Sequence, residues 1–111
     1  MKLSNDEQAW LDEYRVTLDK EYPGLVEDIV IFRSDEGRFY LPEYSLNTVV
    51  ILKKGDRRTG KDVEFMGHYL AVLSEAFPFI WAYTQDEWKL HRRNETLPYK
   101  GDGLSVWSRQ S

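Results

Sequence analysis

The sequence predicts an α/β (α+β) protein, a mixed β-sheet with helices packed on it. Three observations predict this class. Two capping boxes, Ser4-x-x-Glu7 and Thr84-x-x-Glu87, each open a helical stretch. Three short runs rich in branched and aromatic residues, Leu25 to Phe32, Leu46 to Leu52 and Phe77 to Tyr83, read as strands. A long stretch of helical periodicity lies between the second and third of these runs, and strands joined through helices build layered sheets.

In chain order, the first helix starts at the Ser4 box. Trp10, Tyr14 and Leu18 recur along it at helical spacing with Leu11 beside them, and Pro23-Gly24 ends it. The strand Leu25 to Phe32 follows. Ser34 to Tyr44 is irregular, punctuated by Gly37 and Pro42. Leu46 to Leu52 is almost wholly apolar, the pattern of a central strand buried on both faces. Lys53 to Arg58 reads as a polar turn. A second long helix is expected from about Gly60 to Ala76. Val63, Met66, Leu70 and Leu73 form one stripe on it, and Phe65, Tyr69 and Val72 a neighbouring one. Together they predict a wide apolar face packed on the sheet. After the third strand, a short helix runs from the Thr84 box through Arg93. The tail carries Pro98, Gly101 and Gly103, and Leu104-Ser105-Val106-Trp107 reads as a short strand able to add to an edge of this sheet or of a neighbour's.

The 111 residues predict one domain spanning 1–111, long enough to bury a core without disulfides or a structural metal. With no cysteine, the chain has no disulfide framework, thiolate zinc site or cysteine nucleophile. The first residues have no apolar signal core and no run is long enough to span a bilayer, so a cytoplasmic protein is expected. The formal net charge of -4 argues against broad, non-specific binding to nucleic acid. Aromatic residues make up 14% of the chain, and core filling is the expected use for them.

The chemistry centres on the two strands around the irregular segment. Ile29-Val30-Ile31-Phe32 leads into Arg33-Ser34. Ten residues later, Ser45-Leu46-Asn47 runs into Thr48-Val49-Val50-Ile51-Leu52. This resembles the minimal nucleotidyltransferase family, whose signature is a strand ending in Gly-Ser, ten residues, then Asp-x-Asp opening the next strand. Ser34 stands at the signature Ser. Arg33 stands where the family has Gly, and Ser45 and Asn47 stand where it has its two aspartates. Pro23-Gly24-Leu25-Val26, the basic turn before the long helix and Thr84-Gln85-Asp86-Glu87-Trp88 are similar to the members that pair with helical HEPN-type toxins.

The resemblance implies a nucleotidyltransferase-like sheet with a degenerate site. In the family the aspartates hold Mg²⁺, which bridges the nucleotide phosphates, a charge clamp on which metal-assisted phosphoryl transfer depends. A Ser hydroxyl and an Asn amide supply no negative charge to a hard cation. The expectation is therefore no catalytic residue and no resident cofactor, with Mg²⁺ and ATP entering only if relocated or partner-supplied carboxylates do the work. Ser34 remains a nucleotide-contact candidate. Arg33 either pairs with a phosphate or carboxylate, or fills the space a nucleotide would take. Asp35, Glu36 and Glu43 flank the site in sequence and read as solvated loop charges. Glu64 and His68, four apart, read as a surface pair rather than a metal site.

Two basic clusters complete the inventory: Lys53, Lys54, Arg57, Arg58 and Lys61 around the turn, and Lys89, His91, Arg92 and Arg93 on the last helix. Brought together they would form a patch for RNA or an acidic surface, but each lies near acidic residues (Asp56, Asp62, Asp86, Glu87, Glu95) and the aromatic interleaving of a stacking platform is missing, so a solvated face is expected. The expected function is that of a catalytically degenerate, protein-binding or regulatory subunit, antitoxin-like toward a HEPN-type partner or part of a larger assembly. The alternatives are an active Mg-dependent nucleotidyltransferase and an RNA-binding module.

Overall fold

The computed structural model describes residues 3–33, 46–94 and 103–108. Its elements are helix α1 (Asn5–Glu21), strands β1 (Val26–Arg33) and β2 (Leu46–Leu52), helix α2 (Arg57–Ser74), strand β3 (Phe79–Thr84), helix α3 (Gln85–Asn94) and strand β4 (Leu104–Ser108). The four strands form one mixed sheet in the order β3-β2-β1-β4. The β1 strand runs antiparallel to both β2 and β4, and β2 runs parallel to β3. The α/β class is as the sequence predicts, and β4 adds to the chain's own sheet.

Each helix begins where its cap directs. Ser4 Oγ accepts the Glu7 N–H at 3.1 Å while Glu7 Oε1 accepts the Ser4 N–H at 2.8 Å, closing the box in both directions. Helix α2 starts at Arg57 rather than near Gly60. The Asp56 carboxylate is its N-cap, accepting from Thr59 N at 2.8 Å and Thr59 Oγ1 at 3.0 Å. Arg57 and Arg58 thus belong to the first turn of a helix, not to a polar turn. The helix ends at Glu75, a C-cap in the left-handed region with φ 56°. Strand β3 begins at Phe79, because Pro78 has no N–H to give a sheet ladder.

The β2 strand is buried at all seven positions, as its apolar run predicts. Alternation sends Leu46, Val50 and Leu52 to one face of the sheet, where they meet α1 and α2 through Trp10, Leu11, Tyr14, Leu18 and Val63. Val49 and Ile51 go to the other face, with Val30 and Phe32, where Trp81, Tyr83 and Trp88 of α3 pack on them. Helices therefore cover both faces.

Two polar anchors bind α1 to α2. Trp10 Nε1–H donates to the Gly67 carbonyl at 2.9 Å and the Tyr14 hydroxyl donates to the Val63 carbonyl at 2.7 Å, both fully buried. Each contributes roughly 1 kcal/mol and fixes the rotation of one helix against the other. The rings stack with centroids 5.4 Å apart. They fit because Gly67 has no side chain: a Cβ there would lie 2.5 Å from Ile80 Cδ1 and 2.8 Å from Tyr14 Cζ.

That close approach decides which face of α2 turns inward. The buried residues are Val63, Gly67 and Ala71, with Met66 and Leu70 partly buried beside them. Leu73 and the whole Phe65–Tyr69–Val72 stripe point away from the sheet. The single wide inward face predicted from the sequence is thus split, because a helix can lay only part of its circumference on a sheet and the small residues let it approach most closely.

Candidate functional site

Three surfaces bear on function. The first is the end of the sheet where the signature residues fall. Arg33 closes β1 opposite Leu46, and Asn47 lies between Phe32 of β1 and Phe79 of β3. Ser34 and Ser45 lie outside the described residues, as do Asp35, Glu36 and Glu43. Asn47 shares the face of Val49 and Ile51, on the α3 side, and is only 8% exposed. An uncharged amide suits that burial better than a carboxylate, which would have to leave water. Among the described residues no three His, Asp or Glu side chains come together as a metal-binding group.

The second surface is the opposite end, at the carboxyl ends of β2 and β3. A cleft of about 430 Å³ opens there, lined by Leu52, Arg57, Lys61, Glu64, Tyr83 and Glu87 among others. The basic turn cluster meets it through Arg57 and Lys61. The surface pair expected of Glu64 and His68 is not formed. Instead, Glu64 Oε1 accepts the Ala82 N–H at 3.2 Å. Glu87 Oε1 likewise accepts the Thr84 N–H at 2.9 Å. Because β3 is an edge strand, these two carboxylates occupy backbone donors that another strand would otherwise use. The Glu87 bond is the predicted capping box at Thr84, whereas no sequence signal points to the Glu64 bond, which depends on which strand lies at the edge.

The field of Glu64 reaches two tyrosines. Burial pushes the Tyr14 hydroxyl far above the ordinary tyrosine range, and the Glu64 charge adds to the effect. Tyr83 is raised in the same sense by burial, then by Glu64 and Glu87. Both stay protonated near neutrality, so neither is a poised base. Asp56 is held below the usual carboxylate range by the bonds from Thr59.

The structure separates the two basic clusters. Lys53, Lys54, Arg57, Arg58 and Lys61 surround the start of α2, beside the Leu52 and Thr84 ends of their strands. Arg92 lies at the other end, its guanidinium 5.8 Å from the Phe32 ring centroid and 5.4 Å from that of Trp88. His91 sits 4.4 Å from the Tyr83 ring centroid. Contrary to the sequence expectation, aromatic rings do interleave with the α3 cluster, where Arg92 lies over Phe32 and Trp88. Arg93 follows Arg92 in the last turn of α3. The seven basic residues read as one patch therefore divide between two ends of the sheet.

The third surface is the outward side of α2. Phe65, Tyr69, Val72 and Leu73 are 72%, 59%, 78% and 67% exposed. Their positions fall on the half of the helix opposite Val63, Gly67 and Ala71. An exposed apolar row of this size on a helix whose other side is packed marks an interaction surface.

Comparison with protein families, with curated proteins and with solved structures gives no match. No helix among the described residues is long and apolar enough to cross a membrane.

Proposed function

We propose that the chain is a catalytically degenerate protein of nucleotidyltransferase-like fold that works as a protein-binding or regulatory subunit. The observation that carries this reading is the outward side of α2: four large apolar side chains exposed in a row on a helix whose other side is already packed. The signature positions support the non-catalytic half of the proposal. Asn47 carries no charge with which to hold Mg²⁺, and it is buried on the α3 side of the sheet. The resemblance in sequence suggests a helical HEPN-type partner or another subunit of a larger assembly. Self-association belongs to the same reading, and a cytoplasmic location goes with it.

Calorimetric titration of the purified chain with ATP and GTP, with and without Mg²⁺, tests the proposal. The expected result is no heat in any condition. Mg²⁺-dependent micromolar binding would overturn it in favour of an enzyme with relocated or partner-supplied carboxylates, and loss of that binding in Glu43→Gln would locate one of them. RNA binding that weakens steeply with salt would instead favour an RNA-binding module using the basic residues.

A further inference from the structure

We propose that the outward side of α2 is covered by α2 of a second copy of this chain, packed antiparallel about a two-fold axis. The inference rests on the protein-binding reading and names the occupant of that surface.

The stripe is self-complementary. A two-fold axis passing between the two helices at the level between His68 and Tyr69 places Phe65 opposite Val72 of the second copy, and Val72 opposite Phe65, because the two stand equally far from the axis along the helix. The same axis brings Tyr69 beside its own counterpart and Leu73 beside Met66 of the second copy. Isologous pairing of this kind needs one patch that matches itself when reversed, and two-fold dimers are the commonest closed assembly.

The charges run the same way. Helix α2 has no acidic residue in its first turn and carries Arg57 and Arg58 there. These cations sit at the positive end of their own helix dipole, where they are disfavoured. Antiparallel pairing lays that end beside the carboxyl end of the second α2, where the dipole is negative. Lys61 and the backbone of Glu75, the C-cap residue directly after the helix, lie within about 40° of each other around the helix axis at about 100° per residue, on one flank of the stripe. Under the two-fold axis, Lys61 of each copy therefore comes to the height and the side of Glu75 of the other.

The area is sufficient for a specific but modest dimer. At about 150–200 Å² for each large side chain, the exposures of the four apolar residues leave roughly 450 Å² per copy to bury. That is roughly 900 Å² in the pair, and the rim of Lys61, Asp62, His68 and Glu75 carries the total toward the lower end of stable interfaces, about 1,200 Å². Dissociation in the micromolar range is expected.

Sedimentation equilibrium of the full chain from micromolar to millimolar concentration tests the proposal, with circular dichroism confirming the fold of each variant. The native chain is expected to pass from monomer to dimer. Val72→Asp should raise the dissociation constant about a hundredfold, since the symmetry makes each substitution act twice. Its side chain is exposed in the monomer, so the fold should hold. Lys61→Glu and Glu75→Lys should each weaken the dimer, and the double variant should regain it, which only the antiparallel register explains. A chain that stays monomeric throughout, or a dimer indifferent to Val72→Asp, overturns the proposal. The nucleotide titration on the same sample separates this failure from failure of the protein-binding reading, since a monomer that also ignores Mg-nucleotide refutes the dimer alone.

Discussion

Thr48→Val should make the protein more stable, against the usual direction of core substitutions. Thr48 is fully buried in β2, between Ile31 of β1 and Ile80 of β3, on the face covered by α1 and α2 with Leu46 and Val50. Among the described residues its Oγ1 has no hydrogen-bond partner. A buried hydroxyl left unpaired has lost its water without recompense, a cost of about 1–3 kcal/mol. Valine keeps the shape, replaces the hydroxyl with a methyl group and fits a strand equally well. The gain should therefore be about 1–3 kcal/mol, which at roughly 4 °C per kcal/mol for a domain of this size raises the Tm by roughly 4–12 °C. Thermal melts and urea midpoints with an unchanged m-value would measure it. Thr48→Ser is the control: it keeps the hydroxyl and removes the methyl, and should cost about 1 kcal/mol. A lower Tm for Thr48→Val would refute the reasoning, because it would mean that the hydroxyl has a partner in solution.

Gly67→Ala should destabilise by about 1 kcal/mol net in urea unfolding, because a methyl that meets the locked Tyr14 ring outweighs the better helix propensity of alanine; a stabilised variant would show that α1 and α2 are not held as close as their hydrogen bonds indicate. Asp28, whose carboxyl is raised by burial despite the 2.6 Å bond from Ser105, lowers stability once ionised. Relative to the unfolded chain its contribution is most favourable below the ordinary carboxylate value and is lost as pH rises through the raised folded value, so Asp28→Asn should stabilise at neutral pH and not at pH 3, as acid titration of the two proteins would show. Asn47→Asp should cost at least about 2 kcal/mol at neutral pH and recover on acidification, since the carboxylate would be buried on the α3 side of the sheet; an undiminished Tm at neutral pH would mean that this end of the sheet still accommodates charge.

Much of the fold is legible in the sequence because its signals are local. The capping boxes at Ser4 and Thr84 act over three residues, and the apolar run Leu46–Leu52 announces a strand buried on both faces wherever its neighbours lie. The start of α2 is hidden for an equally local reason: Asp56 caps it, but the basic run around it reads as a turn. The orientation of α2 was not local at all. Hydropathy counts bulky side chains as the inward ones, whereas the approach of α1 selects the smallest, Gly67 and Ala71, and sends Phe65, Tyr69 and Val72 outward.

The same distinction applies to the candidate site. That Asn47 brings no charge to its position follows from its side chain alone. Its burial, the division of the basic residues between two ends of the sheet and the use of Glu64 to occupy the β3 edge follow from pairing across the sheet, which no spacing in the chain encodes. The consequence is functional as well as structural. At the β3 edge, the bonds from Ala82 N–H to Glu64 and from Thr84 N–H to Glu87 discourage a partner that would add a strand there, while the apolar row on α2 invites those that bind by packing a helix.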